Sequence, residues 1–357
     1  MRAIWISRHG GPEVLEVREG ADPTVGPGEV RIRVEACGLN FAEVMARKGL
    51  YPDAPKPPCV VGYEAAGVVA EVGDGVAGPA VGTRVVALVR FGAHADQVVV
   101  PALQAVPIPD AMTFEQAAAI PVVYVTAYHM LFRVAALRPG DRVLVHMAAG
   151  GVGVAVLQLC RTVDDVEIFG TASPGKHDFL RELGCDHPID YRSLDYAEEV
   201  RRLTDGRGVD LVLDPLGGRD WKKGYQLLRP AGRLVAFGFA NMASGSRRSL
   251  LHVARQAVGI PLFTPMQLMN DNRTIAGVNL GHLWKEAAML REEMDALLEL
   301  FEAGRIEPHI DSTFPFEQAA EAHQRIESRA NVGKVVLVPY ASKSPRSSDA
   351  PAGGLTP

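Results

Sequence analysis

Val143-Leu-Val-His-Met-Ala-Ala-Gly-Gly-Val-Gly153 decides the fold: a short apolar strand runs straight into a glycine-rich turn. Val154 to Arg161 (VAVLQLCR) then reads as the start of a buried helix. Strand, glycine turn and helix in that order form the phosphate-binding element of a dinucleotide fold. The backbone N–H groups of the turn and the positive end of the helix face a pyrophosphate. Ala148, Gly150 and Gly153 occupy the three glycine positions, so the first is Ala, and Gly150, Gly151, Val152 and Gly153 form the expected cradle. A glycine fingerprint alone is weak evidence; its surroundings make it strong.

From Gly140 onward the pattern alternates. Strands are expected at 142–147, 166–171, 209–213 and 232–238, and helices at 152–162, 175–183 and 221–228. Such alternation predicts an α/β fold, an open, doubly wound parallel sheet with helices on both faces. Before it lie short β-rich runs, Val30–Val34, Ala66–Ala70, Arg84–Leu88 and Asp96–Val100, separated by Gly and Pro. These predict a compact β-barrel-like domain. Between the two textures, Thr113-Phe-Glu-Gln116 fits a capping box that opens an apolar helical stretch through Phe132.

After about residue 262 the alternation stops, and helices at 286–303 and 316–327 precede the strand Lys334-Val-Val-Leu-Val338. The expected division is therefore 1–121, 122–262, and 263–340 packing back onto the first domain. The tail 341–357, rich in Ser, Pro, Gly and Ala, is expected to be disordered.

The 357 residues suffice for two domains, and a net charge of -5 from interspersed charges argues against nucleic acid as a partner. No apolar run is long enough to span a bilayer, and the start lacks a signal-peptide layout. Cys37, Cys59, Cys160 and Cys185 are scattered without a CxxC pair, which reads as free thiols in a reducing cytoplasm.

An NAD-preferring fold places Asp or Glu about 20 residues past the glycine turn, on the ribose 2′-OH. Here the second strand ends Phe169-Gly-Thr-Ala-Ser173 and continues Pro174-Gly-Lys176, with no acid. Ser173 and Lys176 offer a hydroxyl and an ammonium to a 2′-phosphate. The plain alternative is that Lys176 is a solvated residue in the first turn of a helix, although a cation there opposes the helix dipole.

Six motifs in order carry a resemblance: Ala36-Cys-Gly-Leu-Asn-Phe-Ala-Glu43, Gly62-Tyr-Glu-Ala-Ala-Gly67, Val145–Gly153, Gly170-Thr-Ala-Ser173, Asp214-Pro-Leu-Gly-Gly218 and Asn331-Val-Gly-Lys334. Over roughly 1–340 the chain resembles the medium-chain dehydrogenase/reductase superfamily. It is most similar to the zinc-independent quinone oxidoreductase branch that holds the vesicle amine transport protein 1 homologues. The resemblance implies a GroES-like catalytic domain, an inserted Rossmann domain, NADPH as cofactor and a homodimer formed through the Rossmann sheet edges. It also implies that Tyr191 and Arg192, after a third strand, touch the 2′-phosphate, and that Thr171 contacts the cofactor. Thr126, Leu216, Gly217, Phe237, Gly238, Val278, Asn279 and Asn331 would line the ribose and nicotinamide, although Leu216, Phe237 and Val278 read equally well as core.

No metal is expected. Zinc-dependent relatives use Cys, His and often Glu in the first domain, and Tyr63 stands where they carry the His. Cys37 persists, but a lone thiol cannot build a three-ligand site, and 85–115 holds no cysteine for a structural zinc lobe. An atypical site from His94, His129 or His146 is the minor alternative.

Without a Lewis acid, a quinone or an α,β-unsaturated carbonyl suits hydride transfer better than a simple carbonyl. Its negative charge spreads into a hydroquinone anion or enolate that modest hydrogen bonding can hold. Asn40, Tyr51 and Tyr63 are the candidates for that pocket. Asn40 is either an amide donor or the N-cap of Asn40-Phe-Ala-Glu43. Tyr51 is a proton donor on a Pro-rich loop or a surface tyrosine, and Tyr63 an acid or a filler of the vacated ligand position.

The apolar segment Leu250–Leu268 reads as a buried helix plus dimer edge, or as a wall for a bulky substrate or lipid. The rival function is a lipid- or partner-binding protein that keeps NADPH as a structural or sensing ligand.

Overall fold

The computed structural model describes residues 1–241 and 259–340. The tail 341–357 and residues 250–258 of the apolar segment lie outside them. The chain begins with β1 (Arg2–Ile6), β2 (Leu15–Glu19), β3 (Glu29–Leu39), α1 (Phe41–Lys48), β4 (Cys59–Val60), β5 (Glu64–Val72), β6 (Arg84–Leu88), β7 (Gln97–Pro101) and β8 (Ala105–Pro107). Alternating burial along β3 gives way to an unbroken buried run at its end, where neighbours cover both faces. β3 pairs antiparallel with β5 and with β7, and β5, β6 and β8 continue the sheet.

The helical stretch after Thr113 opens as expected. Thr113 Oγ1 accepts the Gln116 N–H at 3.1 Å, and Gln116 Oε1 accepts the Thr113 N–H at 3.0 Å. It is not continuous. α2 (Phe114–Ala118) ends before Pro121, which has no N–H to give, and α3 (Val123–Tyr128) restarts and runs into a π-helical turn at His129–Val134.

The second layer follows: β9 (Arg142–Val145), α4 (Gly151–Cys160), β10 (Glu167–Ala172), α5 (His177–Glu182), β11 (His187–Asp190), α6 (Tyr196–Leu203), β12 (Val209–Asp214), α7 (Arg219–Leu227), β13 (Leu228–Ala236), α8 (Pro265–Asp271) and β14 (Thr274–Gly277). Its strands are all parallel, in the order β11-β10-β9-β12-β13-β14. This is the doubly wound dinucleotide order, with its crevice outside the strand ends where β9 and β12 part. Two corrections follow. The alternation does not stop at 262, because β14 extends the parallel sheet to Gly277; and α6 stands where no helix was expected, while β11 is the third strand ahead of Tyr191, whose bounds the sequence pattern does not mark.

The chain then returns through α9 (Ala287–Glu302), β15 (Ile310–Pro315), α10 (Ala319–Glu327) and β16 (Lys334–Val338). β16 pairs antiparallel with β3 of the first sheet, and β15 runs parallel to β16. One apolar core spans both halves, joining Ala36, Ala66 and Val86 through α2 and α3 to Val143, Leu157 and Leu213. Among the described residues no helix is long and apolar enough to cross a membrane.

Candidate functional site

The glycine turn leaves β9 through Met147, whose φ of 54° reverses the chain, and Gly150 then caps α4. Gly150 donates its N–H to Met147 O at 2.8 Å. A methyl group on Gly153 would overlap Ala148 O and stand 2.5 Å from Met147 O, so that position admits glycine alone. Ala148 is tolerated at the first position because Gly170 opposite it has no side chain; a Cβ there would lie 3.0 Å from the Ala148 methyl. The turn is thus a close-packed cradle for a pyrophosphate.

Thr171 is a correction. It is buried, and its hydroxyl accepts the Met147 N–H at 3.2 Å and lies 3.2 Å from His146 Nδ1. It braces the turn from beneath.

The other expected cofactor residues lie outside the carboxyl ends of successive strands. Ser173 follows β10, Tyr191 follows β11 and is 40% exposed, and Leu216 and Gly217 follow β12. Phe237 and Gly238 follow β13, and Val278 and Asn279 follow β14. Asp214 shapes the β12 turn, its Oδ1 accepting the N–H groups of Leu216 at 2.6 Å and Gly217 at 3.0 Å. Val278 is buried, whereas Leu216 and Phe237 are half-buried. Asn279 Oδ1 accepts the Gly281 N–H at 3.1 Å, and Thr126 sits buried on α3.

Lys176 is half-buried, and its Nζ donates to Arg329 O at 2.8 Å and Asn331 O at 2.6 Å. The solvated-lysine alternative is therefore overturned: the ammonium is aimed at the return segment, and burial lowers its pKa. Gly333 approaches from the same segment, donating its N–H to Ala149 O at 2.9 Å and bridging Gly150.

On the first-domain side, Tyr63 lies between Tyr51 and Phe91, with ring centroids 6.2 and 5.3 Å away. The Tyr63 hydroxyl is buried, makes no hydrogen bond of standard geometry, and interacts with the neighbouring Tyr51 hydroxyl. Burial pushes its pKa far above the ordinary phenol range, and burial raises Tyr51 as well, so both are neutral donors at physiological pH. Tyr51 reaches the β14 loop, where a Cβ on Gly281 would stand 3.2 Å from its hydroxyl. His282 and Asp53 close the same gap at 2.8 Å.

Asn40 is the second correction. Both amide hydrogens are spent, on Glu64 Oε1 at 2.8 Å and Glu43 Oε1 at 3.3 Å, and its Oδ1 accepts from Lys334 Nζ at 2.5 Å. Its backbone N–H goes to Glu43 Oε2 at 2.9 Å, so it caps α1 and has no donor left for a substrate. Lys334 also forms an ion pair with Glu64, whose other oxygen accepts the Val122 N–H at 2.8 Å. Burial pushes the Glu43 carboxyl up to about 8. His94 donates from Nε2 to Gly38 O at 3.2 Å, and burial lowers its pKa to about 4.

Compared with known proteins, the chain is 47% identical over 345 residues to the human synaptic vesicle membrane protein VAT-1 homolog, covering 96% of this chain and 88% of that protein. The chain belongs to the medium-chain dehydrogenase/reductase family. The alcohol dehydrogenase GroES-like domain pattern matches residues 26–110, and the zinc-binding dehydrogenase pattern matches 183–337. Among solved structures, the Escherichia coli quinone oxidoreductase complexed with NADPH superposes with a TM-score of 0.84 at 30% identity, covering 95% of this chain and 100% of that one. The CurK enoyl reductase superposes with a TM-score of 0.81 at 28% identity, covering 94% and 98%.

Although one matching pattern is named for zinc, this family member gathers no group of three or more His, Cys, Asp or Glu side chains suited to a metal among its described residues. Cys37 is buried, donates to Leu337 O at 3.6 Å, and burial raises its pKa well above the usual thiol range. Sequence reasoning missed Glu64, Lys334 and Phe91. The signal for the first two was present: a carboxylate opens the apolar run Glu64–Ala70 and an ammonium opens KVVLV. Nothing in the sequence marks Phe91.

Proposed function

We propose that the chain is an NADPH-dependent reductase of quinones or α,β-unsaturated carbonyl compounds that works without zinc. The observation that carries this reading is the Tyr63 hydroxyl, a buried neutral donor held only loosely by the Tyr51 hydroxyl, between two aromatic rings of a chain that also builds a dinucleotide cradle. NADPH would supply a hydride. Gly150, Gly151, Val152 and Gly153 would hold its pyrophosphate, Ser173, Lys176 and Tyr191 its 2′-phosphate, and Thr126, Leu216, Gly217, Phe237, Gly238, Val278, Asn279 and Asn331 its nicotinamide half. Tyr51 and Phe91 wall a flat conjugated acceptor, and Tyr63 donates a hydrogen bond to the oxygen where negative charge collects. The named relatives, a quinone oxidoreductase and an enoyl reductase, support the substrate class. Steady-state NADPH oxidation against a panel of quinones and enones tests it; absence of turnover across the panel overturns it.

Lys176 sets cofactor choice in this reading. Two of its three hydrogens are spent on carbonyls, which leaves one to meet a phosphate. Lys176→Ala is expected to weaken NADPH binding roughly tenfold while leaving NADH nearly unchanged. Calorimetric titration with both cofactors decides it, and equal losses count against the role.

We infer that a second copy of the chain covers the β14 edge. β14 is the outer strand of the parallel sheet, and Leu262, Met266 and Met269 stand beside it 91%, 72% and 76% exposed. The buried helix expected over Leu250–Leu268 falls largely outside the described residues; within them Phe263 and Leu268 pack against the core, and α8 carries no fully buried residue. Met266→Asp combined with Met269→Asp is expected to shift the sedimentation coefficient from dimer to monomer. A wild type that sediments as a monomer, binds vesicles and turns over no acceptor would favour the lipid-binding rival. The four buried free thiols fit a reducing, cytoplasmic setting.

A further inference from the structure

We propose that Lys334 is a positioning residue that makes cofactor and substrate binding cooperative. This rests on the reductase reading for its substrate, and on the dinucleotide cradle for its cofactor.

Lys334 follows directly on Gly333, the residue that bonds Ala149 and bridges Gly150 in the glycine turn. Its own side chain runs the other way, into the protein. It is 3% exposed, and it ends between Asn40 Oδ1 at 2.5 Å and the Glu64 carboxylate. Gly38 leaves the room for that meeting: a Cβ there would overlap Glu64 Oε1 and stand 2.6 Å from Lys334 Cε.

Glu64 carries the link to the substrate side. It is the residue after Tyr63, and its Oε1 also holds Asn40, the cap of α1. α1 ends at Gly49, just before Tyr51. Tyr63 thus neighbours one residue that the Lys334 ammonium grips, and Tyr51 lies past the far end of the helix that the other one caps.

A second route closes the circuit. Glu64 Oε2 accepts the Val122 N–H at 2.8 Å, and the next residue, Val123, packs over the turn, 3.0 Å from where a Gly151 Cβ would stand. A dinucleotide on Gly150–Gly153 therefore fixes both Gly333 and Val123. These in turn fix Lys334 and Glu64, and through them the frame that holds Tyr51 and Tyr63. Binding at one end lowers the ordering cost at the other, and linkage makes the effect reciprocal.

The test uses NADP⁺ with 1,4-naphthoquinone and with 2-cyclohexenone, pairs that do not turn over, so that affinities are read by calorimetry. In wild type, saturating NADP⁺ is expected to tighten acceptor binding about tenfold. Lys334→Met with Glu64→Gln replaces the buried ion pair by neutral groups and so preserves folding, which a melting curve checks. In that variant the coupling is expected to fall to about onefold, with NADP⁺ affinity alone changed less than about threefold. A variant that keeps the tenfold coupling, or a wild type without any, overturns the role of Lys334. A wild type that binds NADP⁺ but neither acceptor in either state overturns the reductase reading along with it.

Discussion

Tyr63→Phe is expected to lower kcat about a hundredfold, the usual loss when one donor to a developing oxyanion is removed. The same change should leave the KM for NADPH unaltered and leave the melting temperature unchanged or raised. The second half follows from burial. The Tyr63 hydroxyl makes no hydrogen bond of standard geometry and meets only the Tyr51 hydroxyl in the free protein, so it recovers little of its desolvation cost, and deleting it relieves that cost. A residue kept for packing would behave in the opposite way, losing stability and keeping rate. Tyr51→Phe is the control, half-buried beside Tyr63 and reaching the β14 loop. If both variants turn over at the wild-type rate, water supplies the proton and the tyrosines are walls.

The dinucleotide half of the fold was legible because its signals are local. Val143–Gly153 carries the strand, the turn and the helix start in one stretch, and the steric limit at Gly153 is written in the residue itself. β14 was not legible because Thr274-Ile-Ala-Gly277 has no fully buried residue; an edge strand with one partner needs no apolar pattern. The bounds of β11 hide for a similar reason, since it buries only Ile189. α6 did carry a signal, the cap Asp195 accepting the Ala197 N–H at 2.8 Å before an amphipathic run, and it could have been read.

The candidate site was legible where a residue's position along a strand decides its place. Ser173, Gly217, Gly238 and Asn279 follow strand ends, and parallel strands bring those ends together whatever the side chains do. Roles that depend on partners were not legible. Asn40 read as a donor or a cap with equal force, and only its folded neighbours decide: Glu64 and Glu43 take its two amide hydrogens, and Lys334, almost three hundred residues away, donates to its oxygen. Thr171 sits at the right strand end but points its hydroxyl into the turn, an orientation fixed by Met147 and His146.

Glu43→Gln is expected to remove a pH dependence of stability that the wild type shows between about pH 4.5 and pH 8. Burial holds the Glu43 carboxyl at about 8, against an ordinary value of 4.5; Lys334 pulls it down and Glu64 pushes it up. A carboxyl raised on folding binds its proton more tightly in the native state. Its contribution is therefore fully present below the unfolded value and is lost as pH rises through the folded one. The wild type should lose a few kcal/mol relative to the variant across that window. Below it the two should run parallel, because glutamine can keep the bond from the Asn40 N–H. His94 and His323, both lowered by burial, act in the opposite sense as pH falls; His323 is common to both proteins and cancels in the difference, and His94, whose Nε2 lies 3.9 Å from Glu43 Oε1, is followed separately by its ring proton shifts. Urea unfolding from about pH 5 to about pH 9 measures it, and superimposable profiles would mean that Glu43 titrates as an ordinary carboxylate. The proton has a structural reason. The cluster holds one ammonium, Lys334, and two carboxyls, Glu43 and Glu64, all buried. One cation can neutralise only one anion away from water, so the second carboxyl keeps its proton and the Lys334–Glu64 pair stays balanced beside Tyr63.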